Sequence, residues 1–282
     1  MDLTRLVSAN HEKLSPSERK VAEALLREPE HVAFGTLAEF ANRAGTSGTT
    51  VLRLATKLGF DGFGPLQSRV QNDLSHRLRP ARQKIREEGV HDPLARTLTL
   101  AVENLHATFS GVDYARFTEA AERIARCSGR VFVLPGECVM GAGGLIVDQL
   151  SNLRDGIVFV DGNATKIGKL LRQAGEDDVT IVIDQSRYDR WLLDALSILT
   201  TGRTYVIAFS DSPISPLAAV AQAAFTINAE GAGPFDSQIA TLALGEALIA
   251  AVATFLAQPA TERLDSVEQN WRALNALTDG AS

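Results

Sequence analysis

The sequence predicts two domains of different class: an all-α N-terminal domain, then an α/β domain built on a doubly wound parallel sheet. Three observations carry this. Up to about residue 80 the apolar residues recur at helical spacing. After Arg130, five short β-branched runs alternate with segments of helical spacing. Charge is also uneven: the window from Arg43 to Arg86 holds nine Lys and Arg against Asp61 and Asp73, a local +7, while the rest carries -13.

In the first domain, Ser15-Pro16-Ser17-Glu18 reads as a helix start, with Ser15 as cap, Pro16 in the first turn and Glu18 three residues on. Val21, Ala24 and Leu25 form the apolar face of that helix, which ends before Pro29. A further helix begins near Thr36, with Leu37, Phe40 and Ala41 inward, and helical spacing returns from Pro65 through Leu78.

The stretch RAGTSGTTVLRLATKLGF, Arg43 to Phe60, is the most informative. Read as two helices around a tight turn, Phe40, Ala44, Val51 and Leu54 fall where the helices touch. Gly45 sits at the corner, where a positive φ is easiest without a Cβ. Ser47 caps the second helix. Thr46, Ser47, Thr49, Thr50, Arg53 and Lys57 then lie at its start or on its outer face, which suits a recognition helix in a major groove. Hydroxyls at the N-terminal end reach phosphates and base edges, and Arg53 reaches a guanine edge or a phosphate. An ordinary helical hairpin with a polar outer face has the same outline; the +7 window tips the balance toward duplex DNA.

Pro80 and the run ARQKIREEGVHDP, with Gly89 and Pro93, read as an exposed connection. Strands are expected at 130–134, 156–160, 179–183, 204–209 and 224–227, with helices such as LIVDQLSNL and WLLDALSIL between them. The Ala- and Leu-rich segment from Asp236 to Leu256 is too apolar to stand in solvent and is expected to pack on the sheet or on another subunit. Expected domain limits are 1–80 for the helical domain, 81–110 for a linker or connecting helix, and 111–282 for the α/β domain.

Composition narrows the class. With 282 residues, 45% hydrophobic and 22% charged, the chain suits one large or two ordinary soluble domains. No uninterrupted apolar run approaches the ~20 residues of a membrane span, and the N-terminus lacks the layout of a signal peptide. A cytoplasmic protein without a membrane partner is expected. Cys127 and Cys138 have no metal-ligand spacing, so neither a metal nor a cofactor is expected.

LSPSERKVAEALL and TLAEFANRAGTSGTTVLRLATKLGFDGF resemble the helix-turn-helix domain of the RpiR family of bacterial transcriptional regulators. Ser47, Val51-Leu52-Arg53 and Lys57-Leu58-Gly59-Phe60 match its serine-rich turn, Val-x-Arg step and Lys-Leu-Gly-Phe ending. VFVL, DSPISPLA (211–218) and FDSQIATLALGEALIAA are similar to the sugar isomerase (SIS) domain these regulators carry as an effector sensor. The resemblance implies a homodimer or higher homo-oligomer that binds operator double-stranded DNA and senses a sugar phosphate or related small-molecule effector. The alternative is a sugar-phosphate isomerase or other sugar-phosphate enzyme with an accessory helical domain.

Departures from the family pattern define the candidate ligand residues. Where ligand-binding members show Gly-x-Gly-x-Ser after the first strand, this chain reads Pro135-Gly136-Glu137-Cys138-Val139. The later Ser-x-Ser-Gly becomes Asp184-Gln185-Ser186-Arg187. Glu137 and Asp184 repel a phosphate at short range, whereas Arg187 and Arg190 attract one. Two readings stay open: a pocket of altered chemistry using Ser186, Arg187 and Tyr188, or a degenerate site in which Asp184 and Arg187 pair. For the enzyme alternative, all five histidines precede Cys127, and Glu137, Glu230 and Glu246 form no recognisable acid–base pair.

Overall fold

A computed structural model describes residues 3–10, 13–27, 29–78, 92–186, 188–213 and 215–276. The described residues divide into two compact units, one of those up to 78 with 212, 213 and 215, the other of those from 92 to 211 with those from 216 to 276.

Six described helices build the first unit: α1 (Leu3–Asn10), α2 (Pro16–Arg27), α3 (Pro29–Phe34), α4 (Leu37–Arg43), α5 (Gly48–Lys57) and α6 (Phe63–Leu78). Local chemistry sets their ends. Ser15 Oγ accepts from the Glu18 amide, and a Glu18 carboxylate oxygen accepts from the Ser15 amide at 2.7 Å, so α2 opens with a capping box. Thr36 and Glu39 repeat the device at α4. Helices α4 and α5 close alike. Gly45 (φ +61) and Gly59 (φ +86) take the left-handed step. The next amide reaches back to the third-last helical carbonyl, Thr46 N to Ala41 O and Phe60 N to Ala55 O, both 2.9 Å. The Lys-Leu-Gly-Phe ending is thus a helix stop. Val21, Leu25, Phe40, Ala44, Val51, Leu54 and Leu66 fill one core, as the apolar spacing requires.

The second unit begins with α7 (Pro93–Ser110), capped by Asp92, and α8 (Tyr114–Arg126), capped by Asp113. The expected linker or connecting helix ran to residue 110; α7 is tied into this unit. The Asn104 side chain donates to Glu230 O at 2.8 Å, and Thr108 Oγ1 accepts from the Asn228 amide at 2.9 Å. Of the expected linker, residues 81–91 lie outside the described residues.

Five strands follow the expected runs closely: β1 (Val131–Pro135), β2 (Ile157–Phe159), β3 (Val179–Asp184), β4 (Tyr205–Ser210) and β5 (Ala223–Thr226). They form a parallel sheet in the order β2-β1-β3-β4-β5. Alternation along the strands feeds two cores. Val131, Val133, Ile181, Ile183, Ile207 and Phe209 meet α8, α9 (Met140–Leu153) and α12 (Ile239–Leu256) on one face. Phe132, Leu134, Val182, Val206 and Ala208 meet α10 (Ala164–Leu170) and α11 (Arg190–Thr201) on the other. The sheet is doubly wound, and each helix covers apolar strand surface that would otherwise face water. Trp191 packs in the second of these cores.

Helix α12 is 18 residues long with mean hydropathy 2.0, enough by composition to cross a membrane. Ala240, Leu244, Leu248 and Val252 are buried in the sheet-facing core, however, as expected for a packing helix. A final helix, α13 (Gln258–Ala273), packs on α9.

Candidate nucleic-acid interface and ligand site

The α4–turn–α5 segment has the expected hairpin geometry, with a distribution of side chains that spacing alone did not settle. Ser47, Thr49 and Arg53 are exposed. Ser47 caps α5 through its hydroxyl, which accepts from the Thr50 amide. Leu52 and Thr56, at helical spacing from Thr49, are also exposed and complete one face. Sequence reasoning passed over both, although the i, i+3, i+7 spacing from Thr49 was there to read.

Three expected contacts stand differently. Thr50 is buried, its hydroxyl 3.0 Å from Ser47 Oγ, because its register turns it toward the core beside Val51 and Leu54. The Thr46 hydroxyl is enclosed without a hydrogen-bond partner. Lys57 donates to Glu18 Oε2 at 2.7 Å and to Lys13 O at 2.9 Å, so its ammonium is held at the start of α2 and the segment before it. Of the +7 window, Arg79, Arg82, Lys84 and Arg86 lie outside the described residues.

The second site follows from the strand order. In a 2-1-3-4-5 sheet the order reverses between β1 and β3, and the crevice at their carboxyl ends is where such folds take ligands. Gly136, Glu137 and Cys138 leave β1 there, Asp184 and Ser186 leave β3, and Tyr188 precedes α11. The structure brings all six into this end of the sheet. Arg187, and with it the Asp184–Arg187 pair, falls outside the described residues.

Carboxylates dominate this end. Asp184 is buried, and its two oxygens accept from the Gln185 and Asp189 amides, both at 2.8 Å. Burial pushes its pKa up to about 6 against the pull of those amides, and the charges of Asp189 and Asp211 add to the rise. A Cβ on Gly136 would stand 2.3 Å from Asp184 Oδ1, so only glycine fits above that carboxylate. Asp189 Oδ2 accepts from the Glu137 amide at 2.6 Å. The Tyr188 hydroxyl donates to Asp211 Oδ1 at 2.6 Å, and the Ser186 hydroxyl to Asp236 Oδ2 at 2.5 Å. Ser186 has φ +62, a left-handed conformation uncommon for a residue with a Cβ. Gln185 donates to Thr241 Oγ1 at 2.6 Å, tying the loop to α12. Burial raises the Cys138 thiol above its usual range, with Asp184, Asp189, Asp236 and Glu137 adding to it, which is the opposite of an activated thiolate. Sequence reasoning missed Asp189, Asp211 and Asp236, whose places depend on loops folding back over the strand ends.

Residues 1–77 match the family model of the helix-turn-helix domain of the rpiR family, and residues 146–251 match the SIS domain. The chain is an RpiR-family helix-turn-helix domain joined to a SIS domain. The SIS match begins within α9, beyond the altered loop after β1. A Bacillus subtilis protein named as the uncharacterised HTH-type transcriptional regulator YbbH is 25% identical over 227 residues, 76% of this chain and 77% of its own. YfhH of Escherichia coli, similarly named, is 27% identical over 51% of each chain. Vibrio vulnificus NanR, solved in complex with ManNAc-6P, aligns over 97% of this chain and 99% of its own, with TM-score 0.59 and 18% identity. The sugar isomerase domain of an RpiR transcription factor from Sphaerobacter thermophilus covers 62% of this chain and 98% of its own, at TM-score 0.59 and 22% identity.

Proposed function

We propose that this RpiR-family protein regulates transcription by placing α5 in the major groove of an operator, with a small hydroxylated metabolite acting on the SIS domain. The observation that carries the DNA reading is the exposed row of Ser47, Thr49 and Arg53 at the N-terminal part of α5. Behind it Val51 and Leu54 are wholly buried, so the row is held on a rigid support. Arg53 is assigned to a base edge or phosphate, and Ser47 and Thr49 to phosphates. Thr46 and Thr50 are assigned to the turn, and Lys57 to bracing the end of α5 against the start of α2, rather than to DNA.

The active species is a homodimer. Leu94, Leu98 and Val102, four residues apart along α7, are 84%, 67% and 45% exposed. The first half of α7, residues 93–99, is exposed throughout, and an apolar stripe there suits a second copy of itself. Two recognition helices related by a dimer axis then read half-sites about one helical turn, or a multiple, apart. A ligand that favours one dimer geometry shifts operator affinity.

A gel shift with the DNA flanking its own gene tests this reading: retardation by wild type and its weakening by Arg53→Ala are expected. Indifference to every fragment at low salt would overturn it. The enzyme alternative has less support, since no histidine follows Cys127 to act as acid or base in the sheet-bearing part.

A further inference from the structure

The switch-point crevice has the elements of an anion site: amides at a helix start and at two strand ends, converging from separate loops. In this chain those donors are already used. The Glu137 amide, first in the 3-10 turn leading into α9, donates to the Asp189 carboxylate. The Gln185 and Asp189 amides donate to the Asp184 carboxylate. The hydroxyls of Ser186 and Tyr188 donate to Asp236 and Asp211. Gly136 has no side chain at the one place where a Cβ would collide with Asp184.

We propose that Asp189, backed by Asp184, occupies the anion position of the crevice and thereby sets the specificity of the SIS domain against phosphorylated ligands. The inference rests on the sensing role proposed above and narrows it: the ligand that enters here is an uncharged, hydroxylated compound. An incoming phosphate finds the Glu137, Gln185 and Asp189 amides taken and meets carboxylates at short range, so it loses those hydrogen bonds and the electrostatic gain that hold phosphates in such sites. A hydroxylated compound keeps hydrogen bonds available to it, because each carboxylate oxygen has a second lone pair to offer a hydroxyl donor.

Isothermal titration of the full-length protein with inorganic phosphate, and with glucose 6-phosphate, tests the assignment. Wild type is expected to show no saturable binding of either. Asp189→Ser, which frees the Glu137 amide and removes a charge, is expected to bind inorganic phosphate at least about tenfold more tightly than wild type. Asp189→Asn, which keeps the shape and removes only the charge, is expected to fall between them and serves where the serine variant does not fold, as judged by circular dichroism. Binding of either probe by wild type as tight as by the variants would overturn the proposal. So would silence in a folded variant, because the carboxylate would then not be what keeps the anion out. Gel shifts on the same preparations without effector keep the two readings apart. Loss of DNA binding alone would count against the regulator, while the phosphate result alone decides the role of Asp189.

Discussion

Lys57 Nζ stands 2.7 Å from Glu18 Oε2 and so joins the end of α5 to the start of α2. The Glu18 side chain is 4% exposed and that of Lys57 41%. The hydrogen bond from Lys57, helped by the Ser15 amide, holds the Glu18 carboxyl down at about 2, well below its usual range. Lys57→Ala leaves that carboxylate short of its cation and is expected to destabilise the helical domain by about 1–2 kcal/mol, after discounting for the half-exposed ammonium. Urea unfolding checks this. Operator affinity of the folded variant should change far less than in Arg53→Ala.

The same pair predicts an acid limb. A carboxyl whose pKa is lowered on folding stabilises the native state above its unfolded value and loses that contribution as pH falls. Helical-domain stability should therefore decline from about pH 4.5 toward about 2, and Glu18→Gln should flatten that decline. Unfolding followed by circular dichroism across this range is the measurement.

Arg53 is exposed on α5 and free to reach a groove. Arg53→Ala should cost roughly 1–3 kcal/mol in operator binding and, where it reads a base, relax preference at that position. Competition gel shifts with substituted operators separate these effects from general weakening.

Asp184 predicts the opposite pH sign to Glu18. Its pKa is raised to about 6, so the native state binds its proton more tightly than the unfolded chain. Its contribution is full below the ordinary carboxylate value of about 3.9 and is lost as pH rises through about 6. The melting temperature of the SIS domain should fall across that interval in wild type and less in Asp184→Asn.

Gly136→Ala pushes a methyl into Asp184 Oδ1 and should destabilise the SIS domain by about 1–3 kcal/mol. Shortening the neighbour with Asp184→Ser in the same chain should recover part of the loss. Additive losses in the double variant would mean the two positions do not oppose each other.

If the proposed dimer forms through the α7 stripe, Leu98→Glu places a charge in it and should shift the sedimenting species toward monomer, with operator affinity falling alongside. An unchanged sedimentation profile would move the interface elsewhere.

Local chemistry made much of this protein legible from residue order. Ser15 with Glu18, Gly45 and Ser47 act through neighbours within four residues, so the capped helices and the hairpin could be read directly. The central strands β1, β3 and β4 were legible because each is a buried apolar run, and a parallel sheet needs apolar residues on both faces; the edge strands β2 and β5 are only partly buried. Tertiary structure decided what depends on distant partners. Lys57 looks like a phosphate contact until Glu18, 39 residues away, claims its ammonium. Thr50 looks exposed until the helix is rotated by the burial of Val51 and Leu54. Asp189, Asp211 and Asp236 look like ordinary loop carboxylates until the strand order brings their loops to one crevice. Charges and hydroxyls act through whatever lies within a few ångströms, and only the folded chain determines which groups those are.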